Sequence, residues 1–148
     1  MVAHCVAALL YLGVMQGELA HHPQVRDALW KLLQDAHYGF AQTEEAMFVI
    51  RDLDGGLSFV RWASMGIPRH AQWNAPLPFG VIAIVHTHPN SLPRPSLNDI
   101  QTAQRNNLPV YVVTRTRITK TAGGDTNVVL RGDWWAGAPG ATLPAEGR

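Results

Sequence analysis

A mixed α/β domain, with a central sheet packed by helices, is the fold class this sequence predicts. Three observations carry the prediction. Residues 23–38 repeat apolar side chains at helical spacing. Residues 80–86, GVIAIVH, form an unbroken apolar run rich in β-branched residues, as in strands covered on both faces. The order of elements along the chain is helix, hairpin, strand, helix, strands, which suits a sheet sandwiched by helices. A chain of 148 residues is long enough for one core and short for two. Residues 1–132 are therefore read as a single domain, and residues 133–148, rich in Gly, Ala and Pro, as a loosely held tail.

The first element is an apolar run at residues 5–15, CVAALLYLGVM. No Lys or Arg precedes it and it is too short to span a bilayer, so it reads as a buried helix or strand in preference to a cleaved signal. That reading places the protein in the cytoplasm, with a secreted or periplasmic location left open. Pro23 suits a first helical turn, and Val25, Leu29, Leu32, Leu33 and Ala36 share one face of a helix that Gly39 closes. AMFVIRD and LSFVRW flank the turn signal LDGG, which predicts a hairpin over residues 44–62. The proline-bearing segment 65–79 reads as an irregular loop. After GVIAIVH and a second proline-rich loop, SLNDIQTAQRNN predicts a helix starting at Ser96. PVYVVTRTRI then reads as one strand, and TAGGD as a turn into TNVVLR. Alternation within that strand puts Arg115 and Arg117 on one face, as expected of a solvated edge protected by charge. Trp30 is expected in the core. Trp134 and Trp135 are expected either to anchor the tail or to mark a binding patch.

Twelve basic residues against eleven acidic ones leave a net charge of +1. Such a chain has no global field drawing it to nucleic acid or to an anionic membrane, so neither is expected as a partner. A single cysteine, Cys5, excludes an internal disulfide and a thiolate zinc site.

The chemistry concentrates in IVHTHPNSLPRPSLNDI, residues 84–100. His86 and His88 lie two apart at the end of the apolar strand, so their imidazoles project to the same side. Two imidazoles on one side are a natural pair of zinc ligands. Pro89 stops the strand and leaves the pair at the end of the sheet. Ten residues separate His88 from Asp99, enough chain to fold back and present a carboxylate from the first turn of the next helix. Three protein ligands with an open fourth position is the arrangement of a catalytic zinc site. SLND also fits a helix cap, with Ser96 accepting backbone N–H groups and Asp99 favoured by the helix dipole.

HTHP, the ten-residue gap and SLND together resemble the metal signature of the JAMM (MPN-plus) zinc metalloproteases, over residues 81–114. The resemblance implies a cytidine-deaminase-like JAMM/MPN architecture and one zinc ion per chain, held by His86, His88 and Asp99. It implies a JAMM-type isopeptidase or peptidase, whose substrate is a peptide or a ubiquitin-like protein. It also implies an oxyanion donor, Ser96, and a general-base glutamate at the start of an upstream strand. QTEEAMFVIRDLDGG offers Glu44 and Glu45, and neighbouring strand residues face opposite ways, so only one can look toward the zinc. Distance from the turn favours Glu44 and the apolar count favours Glu45; Glu44 is the preferred reading. Where the family carries a small residue three positions on, Met47 or Phe48 stands. That departure supports the alternative of a catalytically inactive MPN-like scaffold or binding module, alongside a zinc amidase acting on a small peptide conjugate. The loop at 65–79 is expected to form a substrate-facing wall.

Overall fold

The structure, a computed structural model, describes residues 18–142. The apolar run at 5–15, with His4 and Cys5, lies outside them. After a 3-10 turn at Leu19–His21, helix α1 spans Pro23–Asp35, with proline in its first turn. It buries Val25, Leu29, Trp30, Leu32 and Leu33, each contributing roughly 1.5–3 kcal/mol of apolar transfer energy. The helix stops short of residue 38 because His37 and Tyr38 take left-handed backbone angles, φ 51° and 56°, inside a 3-10 turn at His37–Gly39.

Six strands follow: β1 Ala46–Arg51, β2 Leu57–Arg61, β3 Val81–Thr87, β4 Val110–Val113, β5 Arg117–Ala122 and β6 Asp125–Arg131. Helix α2, Leu97–Asn106, crosses from β3 to β4. They form one sheet in the order β2-β1-β3-β4-β5-β6, in which only β3 and β4 run parallel. A parallel pair needs a crossover, and α2 supplies it. Side-chain alternation then sorts the two faces. Met47, Val49, Ala83, Val85, Tyr111 and Val113 pack with α1, while Phe48, Ile50, Ile84 and Val110 pack with Ala103 of α2. This is the α/β class expected, a mixed sheet with a helix against each face.

The reading of residues 109–118 is corrected. PVYVVTRTRI is not one strand: Thr114 N–H and Oγ both bond the Arg117 carbonyl, at 3.0 and 3.1 Å, and fold the chain into a tight turn between β4 and β5. No glycine or proline marks that turn, so the sequence carried no signal for it. As a result β5 is an interior strand, and Arg115 and Arg117 do not guard an edge. Arg115 lies in the turn, its guanidinium 5.3 Å from the centre of the Phe40 ring. Of the two readings of Trp134 and Trp135, the structure shows the anchor. Trp134 is buried and Trp135 stacks on Trp30 with centroids 5.3 Å apart. Their indole N–H groups bond the carbonyls of Thr114 and Arg115 at 2.9 and 3.1 Å, so the pair anchors this segment over α1.

One side chain pins the loop that leaves β3. Asn90 donates from Nδ2 to the Tyr38 carbonyl at 3.0 Å and accepts at Oδ1 from Arg115 N–H at 3.0 Å. Its own N–H reaches the Gly39 carbonyl at 2.9 Å. Gly39 has φ +74°, and a Cβ there would stand 2.5 Å from Asn90 Oδ1, so this close approach requires glycine twice over. Asn90→Ala strands a part-buried carbonyl and a part-buried amide. It is expected to lower stability by about 2 kcal/mol in urea denaturation; an unchanged midpoint would show that the clamp is idle.

Candidate metal centre

The site forms where β3 ends. His86 is the penultimate residue of the strand and His88 follows it, and both are buried at 8% and 6% exposure. Their rings meet edge to face with centroids 4.7 Å apart. Asp99 arrives from the first turn of α2. A reciprocal cap holds it there: Ser96 Oγ accepts from Asp99 N–H at 3.2 Å, while Asp99 Oδ2 accepts from Ser96 N–H at 2.6 Å and from Ser96 Oγ–H at 2.8 Å. That leaves Oδ1 free to approach His86 Nε2 at 2.8 Å, and Oδ2 lies 3.6 Å from His88 Nε2.

Glutamate selection follows from register. Ala46 of β1 pairs with His86 of β3, and the ladder continues backward as Thr87 N–H bonds the Glu45 carbonyl at 2.9 Å. Counting in twos from Phe48 places Glu44 on the face of His86 and Glu45 on the opposite one. Glu44 Oε2 lies 4.0 Å from His86 Nδ1. Glu45 turns away and pairs with Arg61 at 3.1 Å, which also holds Asp35 at 2.9 Å. The structure thus brings together four of the sequence-derived candidates, Glu44, His86, His88 and Asp99, with Ser96 behind Asp99. It does not bring Glu45.

Burial raises the Glu44 carboxyl above the ordinary range, partly offset by His86. For Asp99 burial pulls the same way, but the His86 contact and the Ser96 hydrogen bonds outweigh it and hold the carboxyl far below the usual carboxylate range. His86 is the mirror case: burial pushes it down, and Asp99 more than restores it, so its pKa is raised. His88 is lowered by burial and by the neighbouring His86.

These donors fit a metal ion. Ligand atoms of Glu44, His86 and His88 lie within 4.8 Å of one another. His86 Nε2 is fully buried and, although close to Asp99 Oδ1, makes no aligned hydrogen bond among the described residues. Buried polar atoms left this way are rare in native folds. His88 Nδ1 lies 2.8 Å from the Leu92 carbonyl, the outer hydrogen bond that orients a ligating imidazole and frees its Nε2. An imidazole pair with carboxylates is a donor set that suits zinc among other divalent metals.

The site opens into a cavity of about 1220 Å³ lined by Phe48, Trp62, Trp73, Ile84 and Val110, among others. Residues 69–73 of the 65–79 loop line it, together with Ala75 and Leu77. Sequence reading missed Trp62, Ile84, Val110 and the Leu92 carbonyl. Ile84 lies two residues before His86 on the same strand and could have been found by alternation; Trp62 and Val110 depend on strand order. The carbonyl leaves no trace in a side-chain pattern.

A family model described as prokaryotic homologs of the JAB domain matches residues 19–129. No curated protein and no solved structure gives a significant match. No helix among the described residues is long and apolar enough to cross a membrane.

The His86–Asp99 contact predicts a pH signature for the metal-free protein. His86, with a raised pKa, contributes stability that is complete below the ordinary imidazole value of about 6.5 and is lost as pH rises through the raised value. Asp99, with a lowered pKa, contributes stability that is complete above about 3.9 and is lost as pH falls through the lowered value. The Tm advantage of chelator-treated wild type over Asp99→Asn should therefore be greatest between about pH 4 and 6.5. An advantage that stays level from acid to alkaline pH contradicts this.

Proposed function

The chain belongs to the prokaryotic homologues of the JAB domain, and from that premise we propose that it is a zinc-dependent metallopeptidase hydrolysing peptide or isopeptide bonds. The observation that carries the reading is the division of labour around His86. Asp99 meets its Nε2 edge and reaches His88 Nε2 as well, whereas Glu44 stands at its Nδ1 edge. His86, His88 and Asp99 are thus the residues that would hold one zinc ion. Glu44 remains beside it as a carboxylate whose raised pKa suits a general base. When bound, zinc supplies a Lewis acid that polarises the scissile carbonyl and acidifies water.

The chain's own residues do the rest. Glu44 takes a proton from the attacking water and passes it to the leaving amine. Ser96 donates to the oxyanion; its hydroxyl leaves Asp99 Oδ2 to do so, and the Ser96 N–H at 2.6 Å keeps that oxygen in place. Substrates in this proposal are peptides or conjugates of a ubiquitin-like protein. The inactive-scaffold alternative drew on the departure at residues 47 and 48. Met47 faces the α1 core and Phe48 the cavity, and neither displaces Glu44 from the histidines.

Elemental analysis of the purified protein should find about one zinc per chain, lost in His88→Ala. Glu44→Gln should keep the zinc and lower kcat roughly 10²–10⁴-fold, while Glu45→Gln changes it little. Wild type that holds zinc yet cleaves no peptide or isopeptide would refute the catalytic reading.

A further inference from the structure

The cavity is larger and more aromatic than hydrolysis of an amide requires. Register explains how it is built. Ala46, His86 and Val112 form one cross-strand row, and Phe48, Ile84 and Val110 form the row two residues back along β3, on the same face. Two residues of strand advance about 7 Å, within reach of a side chain on the residue flanking an amide held at His86. The Phe48–Ile84–Val110 row is itself buried, and Trp62 and Trp73 cover it, so the apolar surface one step from the histidines is theirs. Their rings lie 5.1 and 4.9 Å from Phe48 and 6.0 Å from each other, and their outer faces form the aromatic wall of the cavity.

The rim has a sign. Arg69, Arg94 and Arg105 line the cavity from three separate segments, and none forms an ion pair among the described residues. The acidic residues lining it are Glu44 and Asp99, both engaged at the imidazoles. Three exposed guanidiniums around an aromatic wall complement a ligand that is anionic outside and apolar within.

We propose that this cavity is a specificity subsite for short anionic peptides with an aromatic side chain next to the scissile amide. The ring lies against the partly exposed faces of Trp62 and Trp73, which cover the buried Phe48–Ile84–Val110 row, and the carboxylates face the three arginines. The proposal rests on the metallopeptidase reading only in placing the amide at the histidine end.

Binding tests it without turnover. Zinc-treated Glu44→Gln protein is titrated calorimetrically with three tetrapeptides: acetyl-Asp-Ala-Phe-Ala, the same peptide with Gly for Phe, and a neutral form with Asn for Asp and an amidated end. The Phe peptide should bind about ten-fold tighter than the Gly peptide, from burial of one ring. The neutral form should bind several-fold more weakly than the acidic one, with the difference shrinking in high salt. Adding Trp73→Ala should remove the Phe advantage, and Trp73→Phe should keep most of it. Equal binding of the Phe and Gly peptides, or of the acidic and neutral ones, overturns the proposal. If Trp73→Ala loses its circular dichroism spectrum, the Phe-to-Gly ratio with Trp73 intact decides alone. Wild-type turnover separates the two readings. Selective binding without cleavage of any peptide or isopeptide refutes the metallopeptidase and leaves the subsite; cleavage with no aromatic preference does the reverse.

Discussion

The carboxylate of Asp99 is the hinge on which the centre is built, because it serves the helix and the histidines at once. Its Oδ2 accepts from the Ser96 backbone and hydroxyl at the start of α2, and this fixes the rotamer that aims Oδ1 at His86. A helix cap and a metal-ligand pattern are usually rival explanations of the same four residues. Here one set of bonds satisfies both. Asp99 is oriented by the helix start, so the proline-rich segment from 89 to 95 has only to span the distance. Asp99 and Ala103, one turn apart, are the buried positions of α2, so the residue that docks the helix on the sheet lies directly behind the one that meets the histidines.

Around that carboxylate the sheet acts as a ruler. The parallel pairing of β3 with β4 sets the crossover and hence the place of α2, and the antiparallel pairing of β1 with β3 sets which glutamate reaches His86. A slip of one residue between β1 and β3 would exchange Glu44 for Glu45 and turn Phe48 into the α1 core. Asn90 guards against loosening from the other side, tying the chain just past His88 to the left-handed turn after α1 and to the β4–β5 turn.

What the sequence made legible was local. His86, His88, Ser96 and Asp99 lie within one strand end, one loop and one helix start, and spacing alone brings them into a pattern. The helix pattern ran on to residue 38 because it cannot register the left-handed angles at His37 and Tyr38. Glu44 against Glu45 stayed open because face depends on register, and register is set by a partner strand some forty residues away. The β4–β5 turn was invisible for another reason: it is closed by a threonine and a carbonyl, with neither glycine nor proline to announce it. Once that turn was missed, β5 passed for an edge. The large cavity was read only as a loop at 65–79, since its floor comes from three strands whose order is a property of the whole sheet.

With Glu44 facing His86, the large residue three positions on is Met47, which points into the α1 core, while Phe48 lies on the cavity face. Phe48 sits four residues along β1 from Glu44, on the same face, and at about 3.3 Å per residue that is some 13 Å away. At that distance it leaves the Glu44 carboxylate untouched. What it does touch is Trp62, Trp73 and the Ile84–Val110 row. A small residue in its place would remove the ring on which both tryptophans lean and hollow out the cavity floor. The approach to β1 therefore places a carboxylate at His86, and the strand itself sets shape further along. The two can vary independently because they are two pleats apart on one sheet.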